Sequence, residues 1–129
     1  MPELATRTKT LILRASGIPV GPNSRLHWAA RHRLNAPLRD EVAWQAKWFA
    51  ERHGTFAHAA VRIVLLRVGG SAMDPDNAIA CCKGLVDGLV RGGLLVDDKR
   101  ENITLTVDQE KAARGGTRGA RLEVSVEVG

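Results

Sequence analysis

Residues 59–91 constrain the fold of this chain more than any other stretch. Ala59 to Val68, AAVRIVLLRV, is a run of β-branched and aliphatic side chains with the composition of a central strand. Gly69-Gly70-Ser71 breaks it, and Asp74-Pro75-Asp76 follows. Proline suits the first helical position, because the N–H it lacks would have no partner there and its φ is already helical. Asp74 is therefore the N-cap of a helix running from Pro75 to Arg91, which Gly92-Gly93 ends. A strand, a glycine turn and a capped helix place the helix start beside the strand's C-terminal end, the edge at which open α/β sheets build their sites.

The flanking segments extend this unit. Thr8 to Ala15 predicts a first strand with Leu11, Leu13 and Ala15 on one face, and the GIPVGPN that follows is a loop. Pro37 to His53 predicts a helix, started by Pro37 and ended by Gly54, with Leu38, Val42, Ala46 and Phe49 at helical spacing. Trp44 and Trp48 widen its apolar stripe, which is expected to pack on the sheet, with a subunit interface as the second option. Ile103, Leu105 and Val107, then Leu122, Val124, Val126 and Val128, alternate with polar residues. These two strands, joined around KAARGGTRGAR, are expected to form a terminal antiparallel hairpin. The sum is a single α/β (α+β) domain of 129 residues, in β-α-β-α-β-β order, with a mixed sheet covered by two helices.

Charge narrows the partners. A formal charge of +5 and a pI near 9.9 favour a polyanion. Cys81 and Cys82 are adjacent within the predicted helix and are the only cysteines, which excludes a disulfide framework and a cysteine-rich zinc site. The N-terminus carries no apolar leader and no stretch approaches a membrane span, so a reducing cytoplasm is the expected setting and no membrane partner is implied.

Carboxylates bracket the helix. Asp76, Lys83 and Asp87 share one stripe of it, and Leu94-Leu95-Val96 is an apolar run expected to carry Asp97 and Asp98 back towards the helix start. Asp74, Asp76 and one of Asp97/Asp98 would then converge, and clustered oxygen ligands suit Mg²⁺ or Mn²⁺. The plainer alternative is that the first-turn acids complement the helix dipole, that Lys83 and Asp87 form a surface pair, and that Asp97-Asp98 is a solvated turn.

Two basic segments are candidates for a DNA-facing surface. Asn23 to Arg39, NSRLHWAARHRLNAPLR, is expected to be a loop carrying Arg25, Arg31, Arg33 and Arg39 together with His27 and Trp28. Guanidinium groups grip phosphates in bidentate fashion, and an aromatic ring among them stacks on a base. The loop around Arg114 and Arg118, with Lys111 and Arg121 at its ends, offers further cations, although its glycines equally serve to close a turn.

The string D-P-D-N at 74–77, a lysine at 83, D-G-L at 87–89, then G-x-L and the pair Asp97-Asp98 resembles the signature of the RusA-type Holliday junction resolvases. The N-x-R-L-H-W at 23–28 is similar to the N-terminal region of phage members of that family. The resemblance implies a RusA-like fold, with Asp74, Asp76 and Asp98 as metal-binding catalytic acids and Lys83 as the helix lysine. It also implies a homodimer that cuts four-way DNA junctions with Mg²⁺, in recombination and repair. Asn77 and Asp87 fall beside these residues as supporting groups, with Asp87 expected to orient Lys83. Asn23, His27 and Arg39 become candidate substrate contacts. The lysine lies seven positions after Asp76, a turn further than in some members. The rivals are a non-catalytic DNA-binding or assembly protein on the same scaffold and a metal-dependent phosphohydrolase of small nucleotides. The second needs a closed base pocket, for which a chain with no Tyr and two Phe gives little sign.

Overall fold

A computed structural model describes residues 7–22 and 24–128. The elements follow the predicted order: β1 (Arg7–Ala15), α1 (Trp28–His53), β2 (Ala59–Arg67), α2 (Pro75–Arg91), β3 (Ile103–Lys111) and β4 (Gly119–Val128). The strands form one mixed sheet in the order β1-β4-β2-β3, and this single α+β layer pair is the architecture expected from the sequence. β2 is an interior strand, as its composition predicts.

The terminal hairpin does not form. β3 pairs in parallel with β2, while β4 runs antiparallel between β1 and β2. Apolar content explains the exchange of places. β4 buries Ala120, Leu122, Val124 and Val126, whereas β3 fully buries only Ile103 and ends in Asp108-Gln109-Glu110-Lys111. The more apolar strand takes the interior, and the charged one takes an edge, where charge opposes unwanted pairing.

Alternate residues of β1, β2 and β4 (Leu11, Leu13, Val61, Ile63, Leu122 and Val124 among them) form one core with Val42 and Ala46 of α1 and Cys82, Leu85 and Leu89 of α2. Both helices therefore cover the same face of the sheet. The helices meet closely because Gly88 and Gly92, one turn apart, carry no side chains. A Cβ on Gly88 would lie 2.7 Å from the Arg39 carbonyl oxygen, and one on Gly92 would strike the Ala43 carbonyl. Burial pushes the Cys82 thiol up to about 12, so it behaves here as a small apolar residue.

α1 departs from expectation at its start. It begins at Trp28 and takes Pro37 into its interior, so the basic segment expected to be a loop is mostly helix. Ala, Leu and Arg in WAARHRLNA favour the helical state, and three side chains tie this half down. His27 caps it, its Nδ1 accepting from the Ala29 N–H at 3.3 Å. Asn35 donates to the Val20 carbonyl and accepts from the Val20 N–H, and Arg31 donates to the Pro22 carbonyl. Trp44 and Trp48 do not pack on the sheet. They are 73% and 50% exposed, with the Arg52 guanidinium 3.5 Å from the Trp48 ring centroid. The residues that do reach the core are Val42, Ala46 and, in part, Leu38 and Phe49.

The opposite sheet face carries no helix among the described residues. At its centre Arg62 pairs with Asp108 at 2.7 Å and Glu123 at 3.3 Å, and Arg121 pairs with Glu123 at 2.9 Å. The Arg121 guanidinium, helped by Arg62 and opposed by partial burial, holds the Glu123 carboxyl below its ordinary value of 4.5. A carboxylate with a lower pKa folded than unfolded stabilises the fold above its unfolded value and loses that stabilisation as pH falls through the folded one. Melting temperature is therefore expected to drop as pH falls below about 4.5. Arg121→Met is expected to flatten that drop, as followed by circular dichroism across pH.

Candidate functional site

Strand directions decide which loops meet. β1, β2 and β3 all run the same way and β4 runs opposite, so one sheet edge gathers the loop after β1, the β2–α2 turn and the β3–β4 loop. The turn is fixed by Gln109 of β3, whose side-chain amide accepts from the Met73 N–H at 2.7 Å and donates to the Met73 carbonyl at 2.9 Å. Asp74 is the N-cap of α2, with Pro75 behind it and Asp76 in the first turn, as predicted. The Asp74 side chain makes no capping bond, and both carboxylates are exposed, without an ion pair among the described residues. Arg114 and Arg118 lie exposed in the loop at this same edge.

Asn77 follows Asp76 in the first turn. It is half-buried, its Nδ2 faces the Met73 sulfur, and its Oδ1 is buried without a hydrogen-bond partner. A Cβ on Gly21 would lie 2.5 Å from that oxygen and 2.8 Å from Cys81 Sγ. The loop after β1 is therefore pressed onto the first two turns of α2, and glycine is what lets it sit there.

Asp97 and Asp98 go elsewhere. Leu95 forms a parallel bridge with Phe56, just before β2 begins, so the apolar run lies along the N-terminal end of β2. The acidic pair thus leads into β3 at the edge opposite the helix start. Asp97 closes this turn by accepting from the Lys99 N–H at 3.0 Å and from Asn102 Nδ2 at 3.0 Å. The Asn102 amide, with the Lys99 N–H, lowers its pKa, and these bonds make Asp97 a turn-forming residue.

Asp98 instead lines a cleft with Ile79, Lys83, Val86 and Arg100. Asp76 lies seven residues before Lys83, about 10 Å along the helix axis. The expected convergence of Asp74, Asp76 and Asp98 is not found, and among the described residues no three His, Cys, Asp or Glu side chains stand close enough to share a metal ion. The physical reason is register: the bridge to Phe56 anchors the run at the far end of β2.

Lys83 is exposed near the middle of α2 and borders two clefts. Asp87 does not orient it. Its carboxylate binds Arg91 Nε at 2.8 Å, because an acid placed one turn before a base is the favourable order on a helix and Lys83–Asp87 is the reverse.

The basic residues of the N-terminal segment divide. Arg25, Trp28 and Arg33 are exposed, with the Trp28 and His27 rings 5.5 Å apart. His27 serves as a cap, and Arg31 is held by Pro22 while facing the cleft beside Lys83. Arg39 is half-buried against Asp40 at 3.6 Å, with its Nε buried and without a hydrogen bond. Asn23 lies outside the described residues. Arg100, beside Asp98, is a residue that the sequence pattern does not single out. No helix among the described residues is long and apolar enough to cross a membrane.

What the site offers is a pair of free carboxylates at the start of α2, an ammonium group farther along the same helix, and guanidinium groups on both flanks. No protein-family model matches this chain, and no curated protein matches it.

Proposed function

We propose that this chain is a divalent-cation-dependent endodeoxyribonuclease that resolves four-way DNA junctions, a cytoplasmic enzyme of the RusA type acting as a homodimer in recombination and repair. The observation that carries the proposal is the α2 arrangement: unpaired Asp74 and Asp76 at one end, and exposed Lys83 between two clefts that also hold Arg31, Asp98 and Arg100. The D-P-D-N, Lys83, D-G-L and Asp97-Asp98 resemblance supplies the reaction class. The net charge of +5 fits a polyanionic substrate.

Asp74 and Asp76 would be the residues that hold Mg²⁺ or Mn²⁺ at the helix start, since exposed carboxylate oxygens suit these hard cations. A bound ion would neutralise phosphate charge and make water a better nucleophile. Lys83, farther along the same helix, would supply an ammonium group to the phosphate backbone of the bound strand. Asp98 lines the same cleft as Lys83. A two-fold dimer supplies the two matching sites that paired cuts require.

A specific observation favours a second reading. The third acid does not join the other two, which suits a non-catalytic DNA-binding or assembly protein. Incubating the protein with a labelled four-way junction, a linear duplex and free nucleotides, with and without Mg²⁺, separates the two. Paired, Mg²⁺-dependent cuts confined to the junction are expected. Tight junction binding with every strand intact would establish the binding protein instead.

A further inference from the structure

The two clefts beside Lys83 face different walls. On one side, a cleft of about 440 Å³ lies between the Pro19–Val20–Pro22 loop, Arg31 and Asn35 of α1, and the middle of α2. On the other, a cleft of about 620 Å³ lies between α2 and the start of β3, lined also by Asp98 and Arg100. Lys83 borders both. Beside it, Gly84 leaves open space, since a Cβ built there meets no atom within 4 Å. Gly84 therefore adds no side chain to the wall of the first cleft, and Lys83 is the residue that the two clefts share.

The cations along this path are available. Lys83 and Arg100 are exposed and make no ion pair among the described residues. Arg31 spends one Nη1 bond on the Pro22 carbonyl at 2.8 Å, which orients the guanidinium and leaves its other N–H groups to meet a ligand. Three cations spread over two open clefts that share Lys83 match the repeating charge of a phosphodiester backbone better than a small anion, which one enclosed pocket would hold.

We infer that one DNA strand crosses α2 over Lys83, its successive phosphates held by Arg31 on one side and Arg100 on the other. Arg100 thereby becomes a substrate-positioning residue. This inference rests on the nucleic-acid reading above and adds the route of the strand.

The test is fluorescence anisotropy of a labelled four-way junction with the full-length chain in EDTA, where no cleavage occurs, titrated at several salt concentrations. Arg100→Ala is expected to weaken binding roughly five- to tenfold and to reduce the slope of log K against log salt by about 0.9. Arg31→Ala is expected to do the same, and Arg31→Lys, which keeps the charge, to restore most of the slope. Arg52→Ala, remote on α1 over Trp48, is the control and is expected to change neither. Unchanged affinity and slope in Arg100→Ala and Arg31→Ala, with wild-type protein still binding junctions, would overturn this route and leave the proposed function standing. Failure of wild-type protein to bind any DNA would overturn both.

Discussion

Replacing Asp76 by Asn is expected to lower junction cleavage by about 10²-fold or more, while junction binding in the absence of divalent ions stays the same or tightens. The substitution keeps the size of the side chain and its fit in the first helical turn, but removes a negative charge that repels phosphate and would ligate the cation. Asp74→Asn should behave alike, because Asp74 makes no side-chain capping bond whose loss would unfold the helix start. Single-turnover cleavage together with filter binding measures both halves. Full activity in either variant would remove the helix start from the reaction.

The second large effect concerns the fold. Gly88→Val is expected to destabilise the protein by about 1–3 kcal/mol or more, since its side chain would be driven into the Arg39 carbonyl and Val42. Gly84→Ala, on the same helix but facing open space, is expected to stabilise by about 0.5–1 kcal/mol, the ordinary gain from replacing a mid-helix glycine. Urea unfolding of the two variants and wild type makes the comparison. Equal effects at both positions would show that α1 and α2 do not approach one another this closely.

Much of the architecture was legible where local chemistry and burial agree. The α2 boundaries follow from Asp74-Pro75 and Gly92, and β1, β2 and β4 from alternating or continuous apolar runs. Pairing order was not legible, because the alternation in β3 and β4 says that each has a buried face without saying which neighbour it takes. The sequence predicts too short an α1 for a related reason: Pro37 is a helix-start signal locally, and the bonds that keep it inside the helix come from distant Val20 and Pro22. The same holds for the side-chain amides of Asn35, Gln45 and Gln109, each bonded twice to a remote backbone. A lone Asn or Gln carries no sequence mark of such a role. The site was legible in its parts rather than in its assembly. Spacing along α2 put Asp76 and Lys83 on one stripe, but the position of Asp98 depends on the Leu95–Phe56 bridge, a tertiary contact.

The proposed cation seat is the point on which the enzymatic reading turns, and Mn²⁺ provides a direct view of it. In ¹⁵N-labelled protein titrated with Mn²⁺, paramagnetic broadening is expected first at the amides of Asp74, Asp76 and Asn77, with Lys99 and Arg100 beside Asp98 affected later and less. Broadening centred on the Asp98 turn, or spread evenly over the acidic surface, would contradict a seat at the start of α2.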